Sequence, residues 1–141
     1  MNEIDSVLEE ILNRNYSRII FNEEKILRKL SDITLKELRT LEVISKGEKN
    51  NRNTSTFVAK SLGITLGTLT ANIDRLIKKN LVVREKSEED KRATVLLLTP
   101  EGRKVLKSYN NEHLAIIRNA LKNLSDKEKV IIVNLVNKFD V

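Results

Sequence analysis

The chain has no cysteine and no tryptophan among its 141 residues, and only one proline, one histidine and four glycines. Without cysteine there is no disulfide framework, no thiolate metal site and no thiol redox switch. A lone histidine, His113, argues further against a transition-metal centre. Three phenylalanines and two tyrosines put aromatic content at 4%, too little for the stacked platforms that hold RNA or single strands. Long apolar runs are missing as well. The longest, Val95–Leu98 and Val130–Val133, fall far short of the roughly 20 residues that span a bilayer. The first residues, MNEIDSVLEEIL, are acidic and helical, without the basic start and apolar centre of a signal peptide. No Gly-rich phosphate loop, nucleophile elbow or clustered carboxylate pair stands out. The expectation is a cytoplasmic protein with no membrane partner, no catalytic residue, no metal and no resident cofactor.

What the chain does have is charge, and the charge is unevenly placed. Charged residues are 33% of the chain and hydrophobic ones 40%, enough to bury one core, so residues 1–141 read as a single domain. Residues 46–92 hold 11 basic and 6 acidic side chains, a net +5 of the chain's +6. The segment before is −2 and the segment after is +3. A basic centre of this kind suits a polyanion.

Apolar residues recur at helical spacing from Ile4 to Leu30, until Ser31 and Asp32 interrupt. A second helix opens at Thr34, with Glu37 completing a capping box, and presents Leu35, Leu38, Leu41 and Ile44. Gly47–Asn53 reads as a polar loop. Thr54 caps a short third helix that buries Phe57, Val58 and Leu62. Gly63 suits a left-handed helix end, and Thr65 caps a fourth helix to about Lys79 that buries Leu69, Ile73, Leu76 and Ile77. Strands follow at Leu81–Lys86 and Arg92–Leu98, with a tip at Ser87–Asp90. Thr99-Pro100-Glu101 starts a fifth helix, and Ser125 with Glu128 boxes a last one. The fold class is mainly α with a small antiparallel β-wing: a winged helix-turn-helix with helices added at both ends.

That order suits the grooves of duplex DNA. With Leu69, Ile73 and Leu76 inward, 100° per residue turns Gly67, Ala71, Asp74, Arg75 and Lys78 outward, with Thr68 beside them. The candidate reading residues are Thr65, Gly67, Thr68, Thr70, Ala71, Asn72 and Arg75. Threonine offers a hydroxyl to a phosphate or base edge and a methyl to thymine. An ordinary solvated face would explain this helix alone; the wing that follows favours DNA. At the wing, Arg92 is the candidate for a narrow, A·T-rich minor groove, with Asp90 holding its side chain. Arg84, Lys86 and Lys91 are candidates for phosphates, as are Asn53, Thr54 and Ser55 at the start of the third helix. A charged, solvated hairpin tip is the plainer alternative.

Residues 1–33 and 100–141 carry apolar stripes that the lobe at 34–99 is too small to cover, so they are expected to pair with a second copy. A monomer with these helices folded back is the alternative. His113 and Ile116, with Leu38 and Leu41, are candidates for an effector pocket or interface. A hydrogen-bonded interface role is the default for His113, and a ligand or pH role the alternative. Two functions from different classes fit: a ligand-responsive transcriptional repressor, and an adaptor or architectural module that binds DNA without sequence preference.

The runs LGITLGTLTANIDRLIKKNLV (Leu62–Val82) and EEDKRATVLLLTPEGRKVL (Glu88–Leu106) resemble the MarR (multiple-antibiotic-resistance regulator) family over nearly the whole chain. Asp90-x-Arg92 followed by Leu98-Thr99-x-x-Gly102 is the more specific part. The resemblance implies a homodimer, a triangular winged-helix architecture and pseudo-palindromic promoter DNA, with Arg92 on the minor-groove arginine. Two departures stand out: Ala71 where many relatives have arginine, and Asn80 where they have glycine. The run Thr65–Thr70 is similar to the FabT-like subgroup. That subgroup implies repression of fatty-acid biosynthesis genes with long-chain acyl-acyl carrier protein as co-repressor. An aliphatic lining at Ile11, Ile19, Leu38, Leu41, Ile116 and Ile117 would take the acyl chain. Release by a small aromatic or lipophilic ligand is the other effector pattern the family implies.

Overall fold

The computed structural model describes residues 2–30 and 32–139. Its elements are α1 (Glu3–Leu30), α2 (Leu35–Lys49), α3 (Ser55–Leu62), α4 (Leu66–Lys78), β1 (Val82–Lys86), β2 (Thr94–Leu98), α5 (Pro100–Leu121) and α6 (Asp126–Val136). The fold is therefore mainly α with one two-stranded antiparallel wing, as expected. Ser31, expected in the break after the first helix, lies outside the described residues. No helix among those described is long and apolar enough to cross a membrane.

Helix starts follow local chemistry. Thr34 and Glu37 form a reciprocal capping box, as do Ser125 and Glu128. The hydroxyls of Thr54, Thr65 and Thr99 each accept the amide three residues on, satisfying donors that a first turn leaves open. Gly63 ends α3 at φ 66°, a conformation that costs a side chain energy but costs glycine little. Asn80, at φ 59°, turns the chain from α4 into β1, a left-handed conformation that asparagine tolerates better than most side chains.

One core joins the lobe. Leu38, Leu41 and Ile44 of α2 meet Val58 of α3, Leu69, Ile73 and Leu76 of α4, Val82 and Leu96 of the wing, and Leu106 and Tyr109 of α5. Ile26 and Leu27 join them from the last turns of α1. The wing pairs Val82 with Leu98 and Lys86 with Thr94, so Val82, Arg84 and Lys86 share one face.

Three sequence expectations change. The polar loop expected from Gly47 starts later, because α2 continues to Lys49. Gly47 serves close approach there: a Cβ on it would lie 2.5 Å from the Arg52 carbonyl oxygen. Phe57 is not buried. It is 37% exposed, with the Arg52 guanidinium 5.9 Å from its ring centre. The strands are shorter than expected and the tip longer, since the Ser87 amide bonds the Ala93 carbonyl and the Ala93 amide bonds Asp90. Arg92 thus sits in the tip and not on the returning strand.

Candidate nucleic-acid interface

The first turns of α4 present hydroxyls at the surface. The Thr65 hydroxyl donates to Thr68 Oγ1 at 2.9 Å and accepts the Thr68 amide at 3.1 Å. That leaves the Thr68 proton free to donate outward. The Thr70 hydroxyl donates to the Leu66 carbonyl at 2.9 Å, so its lone pairs remain free to accept. Gly67 has open space where a Cβ would sit, and Ala71 is exposed beside it. Thr65, Gly67, Thr68, Thr70 and Ala71 therefore share one accessible surface.

Two residues placed with them in the sequence reading lie elsewhere. Asn72 is only 8% exposed, and its side-chain oxygen accepts from the Arg75 guanidinium. It is a packing residue because its position turns toward α2. Arg75 remains half-exposed, but its Nε lies 3.7 Å from Glu37 Oε1. Lys79 donates to Glu37 Oε2 at 2.8 Å and also reaches the Asp32 carbonyl. Glu37, 3% exposed, thus ties the end of α4 to the start of α2. The capping-box pattern flagged Glu37, but nothing local announced these distant cations.

At the wing, Arg92 is fully solvated, its side chain 96% exposed. Its amide donates to Asp90 Oδ1 at 3.0 Å, while its Nε stands 3.6 Å from the same oxygen. Asp90 holds the Arg92 backbone and touches its side chain loosely, in place of the paired hydrogen bond expected. Lys86 and Lys91 are exposed and enter no ion pair among the described residues. Arg84 differs: its Nη2 donates to Asp74 Oδ1 at 2.5 Å and to the Thr70 carbonyl at 3.4 Å.

The expected phosphate group at the start of α3 also divides. Asn53 is occupied: its Nδ2 donates to the Leu96 carbonyl at 2.7 Å and its carbonyl accepts the Leu96 amide at 2.9 Å. It covers the free edge of β2, which engages one of its two amide protons. Thr54 bridges Val95 and caps α3, and Ser55, half-buried, has no side-chain bond among those described. Glu48 was missed in the sequence: it accepts the Leu98 amide at 2.7 Å, pairs with the Arg103 guanidinium at 2.7 Å, and anchors β2 to α2.

The four candidates for an effector pocket do not line one cavity. Leu38 and Leu41 are 0% exposed and sealed in the core. His113 and Ile116 are half-buried on α5, with the His113 ring stacked 5.7 Å from Tyr109 and its buried Nδ1 unbonded. Nearby, Glu23 of α1 accepts from Arg39 at 2.6 Å and from the Tyr109 hydroxyl at 3.1 Å. Burial first, then the Glu23 carboxylate, push the Tyr109 phenol up to about 12.

With this geometry in place, residues 31–93, somewhat under half of the chain, match the MarR family model. Over those residues the lobe is similar to MarR-family proteins. Among curated proteins the chain is similar to the HTH-type transcriptional repressor YetL of Bacillus subtilis, at 33% identity over 88 residues. That match covers 62% of this chain and about half of YetL, 53%. Among solved structures, a MarR family protein from Bacillus stearothermophilus superposes with a TM-score of 0.81 at 21% identity, covering 98% and 94% of the two chains. Streptococcus pneumoniae FabT in complex with DNA gives 0.77 at 26% identity, covering 96% and 93%. YetL is named as a transcriptional repressor, and FabT is seen on DNA. The likeness in fold thus extends past the lobe to the terminal helices, whose apolar side chains remain exposed at Ile4, Leu8, Leu12, Ile131 and Leu135.

Proposed function

We propose that this protein is a sequence-specific transcriptional regulator, a repressor, that binds a pseudo-palindromic, A·T-rich promoter duplex as a homodimer. Residues 34–99 form the DNA-binding lobe, and residues 1–33 and 100–141 pair the two copies. The observation that carries this reading is the exposed threonine surface of α4 beside a wing tip from which Arg92 projects into solvent. The likeness to FabT, seen in complex with DNA, supports it.

Selection of bound duplexes from a random pool tests the reading, followed by Arg92→Ala on the selected site. A palindromic, A·T-rich consensus is expected. The variant should bind weaker by about 1–3 kcal/mol with an unchanged thermal midpoint. Equal affinity for all duplexes would instead support the non-specific module.

For the effector, we propose a long acyl chain presented on acyl carrier protein, which strengthens DNA binding. The support is the Thr65–Thr70 run and the likeness to FabT. Leu38 and Leu41 are closed in the core, so the chain would lie along α1 and α5 at Ile11, Ile19, Ile116 and Ile117. One observation favours a small polar aromatic or lipophilic ligand that releases DNA: the unbonded, buried Nδ1 of His113 would welcome a donor or acceptor. Affinity for the selected duplex with apo-carrier, acylated carrier and salicylate separates the two. A gain with the acylated carrier alone supports the first, and release by salicylate the second.

A further inference from the structure

An acid on the outward side of α4 calls for a reason. Asp74 shares that side with Ala71 and Lys78, where phosphates would approach and a carboxylate repels them. Its side chain is 54% exposed, so it is not a core residue carried along by packing. Its partner is Arg84, which sits on the same face of β1 as buried Val82, one step farther toward the tip. From there one nitrogen, Nη2, meets Asp74 Oδ1 at 2.5 Å and the Thr70 carbonyl at 3.4 Å. A single guanidinium thus bridges two successive turns of α4 from the wing.

We propose that Asp74 is a positioning residue: it holds Arg84 against α4 and off the DNA backbone, so that this cation sets the wing's place and adds no sequence-blind attraction. The proposal deepens the DNA-binding reading and rests on it. A half-exposed ion pair adds little to stability, but it decides where a charge points. A cation laid on a phosphate strengthens binding to any sequence. Withholding Arg84 therefore favours the preferred site over the many others. Lys78, Lys86 and Lys91, which enter no ion pair among the described residues, remain available for phosphates.

The test uses the full chain and two duplexes, the selected site and a scrambled one. Affinity is measured against salt for the parent, Asp74→Asn, Arg84→Gln and the double variant. Arg84→Gln should keep the parental salt dependence, because that cation is not on a phosphate. Asp74→Asn should steepen the slope by about 0.9 per lobe, roughly 1.8 for a dimer. That is a further loss of about tenfold between 50 and 200 mM salt. The same variant should narrow the preference for the selected site. In the double variant the slope should return to the parental value. A flatter slope for Arg84→Gln than for the parent would put Arg84 on a phosphate already and overturn the proposal. An equal effect of Asp74→Asn with and without Arg84 would reduce Asp74 to background charge and overturn it too. A parent that prefers no duplex defeats the sequence-specific reading instead, so the two failures are distinct.

Discussion

At the scale of single residues, the buried acids organise this protein more than its many exposed charges do. Glu23, 6% exposed, gathers Arg39 and Tyr109 from two other helices. The Tyr109 hydroxyl donates to this carboxylate, so ionising the phenol would lose a hydrogen bond and set two negative charges together. Burial first, and then this carboxylate, raise the phenol's pKa from 10 to about 12 on folding. A group raised in the folded state stabilises below its unfolded value, and the benefit is lost as pH climbs through the folded one. Unfolding by urea at pH 7 to 12 should show this. Tyr109→Phe should cost about 1 kcal/mol near neutrality, and its deficit should shrink between pH 10 and 12 as the parent alone loses this term. Parallel curves would mean that the pair does not form.

At the scale of elements, the junction between wing and α5 explains why the Leu98-Thr99-x-x-Gly102 pattern has the residues it has. Thr99 caps α5 through the Gly102 amide at 3.0 Å, donates its hydroxyl to the Asn80 carbonyl at 2.7 Å, and bonds Leu81 through its own amide at 3.1 Å. Those contacts draw the first turn of α5 onto the turn that follows α4. Gly102 is the point of closest approach: a Cβ there would stand 2.2 Å from the Leu81 carbonyl oxygen. Because the obstacle is backbone, no rotamer change relieves it. Gly102→Ala should therefore destabilise by about 1–3 kcal/mol, the usual cost of overpacking. Gly67→Ala, with open space at the same test, should be near neutral apart from helix propensity. Urea midpoints of the two variants compare them directly, and similar losses would contradict the close approach.

At the scale of the whole molecule, the apolar surface is sorted by position. The lobe closes one core with Ile26 and Leu27 of α1 and Leu106 and Tyr109 of α5, while α1 from Ile4 to Phe21, the C-terminal half of α5 and all of α6 keep large side chains exposed. None of the α6 residues is buried, although Ile131, Ile132, Leu135 and Val136 give it an apolar side. Isolated helices of such length are marginal in water, so these faces need a partner surface. With a second copy as that partner, the thermal midpoint should rise with protein concentration. Ile131→Lys together with Leu135→Lys should lower the sedimenting mass toward that of one chain. A monomer at micromolar concentration in the parent would sink the homodimer.

Elements and caps were legible in the sequence because they depend on neighbours three or four residues apart. Thr34 with Glu37, Thr54, Gly63, Thr65, Thr99 and Ser125 with Glu128 all took the roles their spacing implied. The β-wing was legible too, though its ends were not, since the tip closes through Ala93 and Asp90 by backbone bonds that any residue can make. Which charges are free to meet a polyanion was decided only by tertiary structure. Arg75 and Arg84 read as basic surface, yet each finds an acid on another element, at Glu37 or Asp74. Asn53 and Asn72 read as polar contacts, yet one seals a strand edge and the other packs toward α2. Sequence period tells which side of a helix a residue occupies. It does not tell what another part of the chain brings to that side, because such contacts span 10 to 86 residues and are set by packing.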